Sequence, residues 1–118
     1  MENQKSKQYD LETRTFEFAK RIRIFVKDLP KTVSNREDGK QLVRSSGSVG
    51  ANYIEANEAL SKKDFLMRIK IARKEAKESV YWLKLIEIHD NRKEEQQALL
   101  QEATELMMIL SAIMRKSV

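Results

Sequence analysis

The sequence predicts an all-α protein, an antiparallel up-and-down four-helix bundle. Three observations lead there. Apolar residues recur at helical spacing in four separate segments. One Pro and three Gly in 118 residues leave few breaks, so the segments between them are long. No stretch alternates apolar and polar residues with period two over a useful length, so no sheet is expected. Connections of a few residues then make consecutive helices antiparallel neighbours. The length suits one domain with one core. Residues 1–9 read as a flexible polar lead and residues 10–118 as a single bundle domain.

Asp10 is the expected N-cap of the first helix, with Glu12 placed well for the helix dipole. Leu11, Phe18, Ile22, Phe25, Val26 and Leu29 form its apolar face, and Pro30 ends it. The second helix starts at Ser34 or Asn35 and carries Leu42, Val43, Val49, Tyr53, Ile54, Ala56 and Leu60. Its middle, Ser45-Ser46-Gly47-Ser48-Val49-Gly50-Ala51, has poor helix propensity, each Gly costing about 1 kcal/mol relative to Ala. Read locally, that run is a loop. Helix is the better reading, because a loop would leave two fragments too short to bury much, and small residues let a neighbouring backbone come close.

Ser61-Lys62-Lys63-Asp64 is a capping box with Asp in place of Glu or Gln. The third helix follows, with Phe65, Leu66, Ile69, Ala72, Ala76, Val80, Leu83 and Ile86 on one face, and runs to about Ile88. Asn91-Arg92-Lys93-Glu94 reads as a second capping box. The fourth helix carries Ala98, Leu99, Ala103, Leu106, Ile109, Leu110 and Ile113.

Hydrophobic residues make up 41% and charged residues 35%, a mix too rich in apolar side chains for a disordered chain. There is no Cys, which removes disulfides, thiolate metal sites and thiol catalysis together. The first five residues are polar and do not read as a secretory signal. The longest apolar stretch, Leu106 to Met114, is interrupted by Ser111 and falls well short of the roughly 20 residues that span a bilayer. A cytoplasmic protein without a membrane partner is expected.

The formal charge is +5, which permits nucleic-acid or anionic-membrane binding without establishing either. The excess is uneven: +3 over residues 1–31, −1 over 32–60, +4 over 61–89 and −1 over 90–118. Within the third helix, Lys63, Lys70, Lys77 and Lys84 are seven apart, with Lys74 between them and Arg73 beside them. Seven residues is nearly two turns, so these cations form a stripe along one face. Such a row could follow a phosphate backbone. On spacing alone the better reading is a solvated face, partly compensated by Glu78 and Glu87.

Nothing in the sequence assembles a catalytic centre. His89, the single His, falls where the third helix should end, where a cation favours the dipole. Glu55 with Glu58 and Glu75 with Glu78 are close pairs, but amid so many Lys and Arg they read as ion-pair partners. Gly47-Ser48-Val49-Gly50 lacks the Lys-Ser/Thr ending of a phosphate-binding loop. No metal or cofactor is expected. Tyr81 and Trp82 are consecutive and point in different directions, so at most one lies deep in the bundle. The other, or Tyr53, would cover a subunit interface or stack on a base.

The stretch from Gln41 to Ala56, QLVRSSGSVGANYIEA, resembles the signature of a bacterial family. These are the four-helix-bundle proteins encoded by intervening sequences in the 23S ribosomal RNA gene. Phe16-Glu17-Phe18-Ala19, Ser61-Lys62-Lys63-Asp64-Phe65 and the run from Ala72 to Ser79 fit the same family, over roughly residues 9–90. The resemblance implies an antiparallel bundle and assembly as a homopentamer around a central axis. It also implies a link to the accessory variability protein of diversity-generating retroelements. That branch is basic and pentameric, and binds nucleic acid and a reverse transcriptase. By resemblance Arg44, Ser46, Asn52 and Glu55 are signature positions. Arg44 and Glu55, three turns apart, are expected to pair with the third helix, at Glu75 or Glu78 and at Arg73, in a structural polar network that includes Asn52. Two functions follow: a non-enzymatic oligomeric protein that binds RNA or DNA through one basic surface on helices one and three, or a protein-interaction scaffold without nucleic-acid binding.

Overall fold

A computed structural model describes residues 4–118, with side chains from Leu11 onward. Four helices span Gln4–Lys27 (α1), Val33–Asn57 (α2), Lys62–Leu85 (α3) and Lys93–Lys116 (α4). A short 3-10 turn, Asp90–Arg92, leads into α4. Each helix contacts its sequence neighbours, and α1 closes against α4. The α2–α3 contact is the most extensive and α1–α4 the least. The molecule measures 44 × 29 × 19 Å, and a 24-residue helix of about 36 Å sets its length. No strand occurs among the described residues. The four-helix bundle read from the sequence is the fold observed.

The core follows the apolar periodicity. Phe18, Ile22 and Phe25 of α1, Leu42 and Val49 of α2, Ile69 and Leu83 of α3, and Leu99, Leu106 and Leu110 of α4 are its largest fully buried side chains. Burying a side chain of this size contributes about 1.5–3 kcal/mol, so this face outweighs the weak propensity within α2. Five residues expected in the core lie outside it: Val43 and Leu66 are half-buried at its edge, and three are exposed. Ile54 is exposed on the flank of α2, Leu60 is fully exposed in the α2–α3 turn, and Ala98 is exposed on α4. Leu60 lies beyond the last turn of α2, so the helical period no longer directs it.

The Ser/Gly run is helical throughout. Its small residues serve two seams. Toward α3, Ser45 and Ser79 bring their Oγ atoms within 2.8 Å, both fully buried. Toward α1, a Cβ placed on Gly50 would stand 2.8 Å from Thr15 Oγ1 and 3.1 Å from Thr15 Cβ. Only Gly fits where α1 comes so near.

Several helix ends differ from expectation. Asp10 lies within α1 and not at its start, because the helix extends back to Gln4; residues 1–3 of the expected lead lie outside the described residues. The N-cap of α2 is Thr32, whose Oγ1 accepts the Asn35 N–H at 3.1 Å. Ser61 caps α3 as expected, accepting the Asp64 N–H at 3.0 Å. That helix stops at Leu85, so His89 lies past its end, exposed, in the connector. The second capping box does not form: the 3-10 turn replaces it, and Arg92 precedes α4 without a side-chain cap.

One polar residue fixes the bundle end that holds the α1–α2 turn and the segment after α3. Asn35 is buried, and its Nδ2 donates to the carbonyls of Pro30 (3.0 Å) and Glu87 (2.9 Å). Its Oδ1 accepts the Glu87 N–H at 3.0 Å. A single side chain thus ties the α1–α2 turn to the segment after α3.

Candidate nucleic-acid interface

The outer face of α3 is set by its inner one. Ile69, Ala72, Ala76, Ser79 and Leu83 bury one side of the helix. Lys63, Lys70, Lys74, Lys77 and Lys84 stand on the opposite side, all exposed. Lys63 and Lys84 are 21 residues apart, so the row is about 32 Å long. None of the five has an ion-pair partner among the described residues. Arg73 departs from the row: it is half-buried, and its Nε is enclosed without a hydrogen-bond partner.

The acidic residues expected to offset this row are drawn away from it. Arg44 of α2 reaches across the seam and places Nη2 2.8 Å from Glu78 Oε1 and 3.5 Å from Glu75 Oε1. Glu75 is 8% exposed and Glu78 is half-exposed. Both carboxylates therefore compensate a cation of α2 instead of the α3 lysines. Glu87 lies beyond the helix, held by its backbone to Asn35.

Further along the same seam, Asn52 Nδ2 donates to the Ser48 carbonyl at 2.9 Å, and its Oδ1 accepts from Arg68 at 3.2 Å. Glu55 does not join this network. It is exposed, and neither Arg73 nor any other described cation pairs with it. Arg68 is the α3 partner that sequence reasoning missed. The offset of 16 residues across the α2–α3 hairpin is the signal that relates it to Asn52.

Tyr81 lies within the lysine face, 58% exposed, and meets the half-buried Trp82 edge-on with ring centroids 4.9 Å apart. Trp82 Nε1 is buried without a partner. Met67 and Leu85 are exposed on the same helix.

The basic excess of α1 forms a separate face. The backbones of α1 and α3 make no close approach among the described residues, so these helices are diagonal across the core and their outer sides point apart. Lys20, Arg23 and Lys27 are exposed on α1, with Phe16 and Ile24; Lys20 Nζ stands 5.6 Å from the Phe16 ring centroid. The expectation of one surface shared by helices one and three is therefore corrected to two surfaces.

The α1–α4 seam carries a cluster that the sequence did not point to. Arg14 donates to Glu102 through Nε at 3.0 Å and Nη2 at 2.7 Å, and through Nη2 to Glu105 at 3.0 Å. The bond to Glu102 is the main cause that holds the Arg14 guanidinium above its ordinary pKa. Gln101, then Arg14, hold the Glu105 carboxyl below its ordinary value. Burial pushes the Tyr53 phenol up. No cluster of three or more potential metal ligands occurs among the described residues. No helix there is long and apolar enough to cross a membrane.

A comparison with curated proteins finds no match. A solved structure that matches is a protein of unknown function from the S23 ribosomal protein family of Bacteroides thetaiotaomicron. It is 33% identical, with a TM-score of 0.76, and the alignment covers 92% of this chain and 98% of that one. The profile of the 23S rRNA-intervening sequence protein family matches residues 7–112. With the bundle, the Ser/Gly run and the α2–α3 seam already described, that match over nearly the whole chain places it: the protein belongs to the 23S rRNA-intervening sequence protein family.

Proposed function

We propose that this protein is a non-enzymatic oligomeric bundle that binds RNA or DNA, chiefly through the outer face of α3, with the basic face of α1 as a second binding surface. One observation carries the reading: five exposed lysines run along α3, and the neighbouring Glu75 and Glu78 are engaged by Arg44. A row of ammonium groups neutralises phosphates and releases their counterions without reading bases. Tyr81 in the same face adds a ring for an unpaired base. Assembly into a homo-oligomer multiplies the field by repeating the face around an axis.

A filter-binding titration against RNA and DNA at rising salt tests the proposal, with light scattering to define the assembly. Binding should weaken steeply with salt. Replacing Lys70, Lys74 and Lys77 by Gln should lower the salt slope by about one unit for each phosphate no longer neutralised. Absence of binding at low salt, or undiminished binding by the triple variant, overturns it. The exposed Met67 and Leu85 favour a second reading, a scaffold whose α3 face takes a protein, such as a reverse transcriptase. That reading predicts protein capture insensitive to added nucleic acid.

A further inference from the structure

The α1–α2 end of the bundle carries an open groove of about 560 Å³, separate from the α3 face. Val26, Leu29, Pro30 and Val43 are its buried and half-buried aliphatic floor, and Gly39 keeps that floor low. A Cβ on Gly39 would stand 3.2 Å from Val26 Cγ1. Lys31, Arg36, Lys40 and Arg44 are the exposed rim, and no carboxylate lines the groove. Three of the four rim charges are weakly committed; Arg44 is the exception, engaged by Glu78 at 2.8 Å and Glu75 at 3.5 Å. Lys40 meets Glu37 at 3.7 Å with both side chains largely exposed; such pairs contribute little. Lys31 and Arg36 have no ion-pair partner among the described residues.

We propose that this groove docks an acidic amphipathic helix of a partner protein. Arg36 and Lys40, the uncommitted pair, stand four residues apart along α2, about 6 Å, and Arg44 follows one turn on, held by Glu75 and Glu78. A partner helix displays acidic residues at that same interval on one face. From Thr32 to Arg44 the groove follows α2 for about 18 Å, room for roughly three turns of a docked helix. Its aliphatic floor suits Leu or Ile anchors spaced three and four residues apart. Nucleic acid suits it less well, because no aromatic side chain lines the groove to stack on a base.

The probe is a fluorescein-labelled helical peptide of about 15 residues, four turns, built of Ala and Leu with Glu on one flank. Its counterpart has Lys in place of Glu. Anisotropy titrations on the full-length protein should show the Glu peptide binding and the Lys peptide not. The double variant Arg36→Glu, Lys40→Glu should weaken the Glu peptide at least tenfold and begin to bind the Lys peptide. That new binding also shows that the variant is folded. The triple Gln variant of α3 should bind the Glu peptide as before, which separates this site from the nucleic-acid face. Failure of the Glu peptide to bind at low salt, or equal binding of both peptides, overturns the proposal. Displacement by an oligouridine RNA would give the groove to nucleic acid and overturn it too. So would a change in assembly mass of the charge-reversed protein, read by light scattering, which would give the groove to a second copy of the chain.

Discussion

Two glycines three residues apart in α2 should respond to the same substitution with opposite signs. In a helix interior, Gly→Ala contributes about 1 kcal/mol through propensity alone. At Gly47 the added methyl meets only the far end of Arg23, 3.3 Å from Nη2. That side chain is exposed and can swing away; it is held by a hydrogen bond to the Ala19 carbonyl at 3.1 Å. Gly47→Ala should therefore stabilise by about 1 kcal/mol. At Gly50 the methyl meets Thr15 at 2.8 Å from Oγ1, 3.1 Å from Cβ and 3.7 Å from the backbone carbonyl carbon. Thr15 is 1% exposed, and its hydroxyl is bonded to the Glu12 carbonyl at 3.0 Å. It has nowhere to turn, so α1 must move away. Overpacking of this kind costs about 1–3 kcal/mol, which exceeds the propensity gain. Gly50→Ala should come out destabilising by up to about 2 kcal/mol, the difference between the two effects. Removing the Thr15 hydroxyl relieves the shorter approach, so Thr15→Ala with Gly50→Ala should cost less than the sum of the singles. The assay is urea denaturation followed by far-ultraviolet circular dichroism, with chain concentration held constant because assembly shifts the midpoint. Equal stabilisation by Gly47→Ala and Gly50→Ala would refute the close approach of α1 to α2.

Three further outcomes are expected. Asn35→Ala leaves the Pro30 and Glu87 carbonyls and the Glu87 N–H without their partner, and at about 1 kcal/mol per bond the destabilisation should be roughly 2–4 kcal/mol; Asn35→Asp, which turns a carboxylate toward two carbonyls, should be no better in the same denaturation assay. A double-mutant cycle on Ser45→Ala and Ser79→Ala should return a coupling of about 0.5–1.5 kcal/mol for the buried 2.8 Å hydroxyl pair, and a value of zero would mean that the two hydroxyls act independently. The Glu105 carboxyl is held below its ordinary value of 4.5 in the folded protein, so its contribution is present above that value and disappears as pH falls through the lower folded one; unfolding midpoints measured as a function of pH should show a shallower acid decline in Gln101→Ala and Arg14→Leu.

The bundle was legible because its signal is local and repeated. Phe18, Ile22 and Phe25, or Leu99, Leu106 and Leu110, announce a buried stripe wherever they occur. Helix ends were less legible, since Thr32 and Asn35 compete with Ser34 for the same role and geometry decides among them. In the α2–α3 seam, Arg44 with Glu75 and Glu78 was foreseen, because the resemblance marks Arg44 and those acids stand on the facing helix. Asn52 with Arg68, and Arg14 with Glu102 and Glu105, were not. Such pairs depend on how far one helix slides along another, and a hydrophobic pattern fixes that only to about a turn. The same blindness joined the basic faces of α1 and α3, which charge counts along the chain cannot place around a ring.

The Ser/Gly run has a bearing on how the chain reaches its fold. A segment this poor in helix-favouring residues has little tendency to coil alone, and nucleating a helix is costly even for good sequences. The order in α2 is therefore conferred by its neighbours: α1 at Gly50 and Thr15, α3 at Ser45 and Ser79. This helix relies on both flanks and should be the first to suffer when either loosens. Perturbations on α1 and α3 that never touch each other should thus be felt together, with α2 as the element that melts.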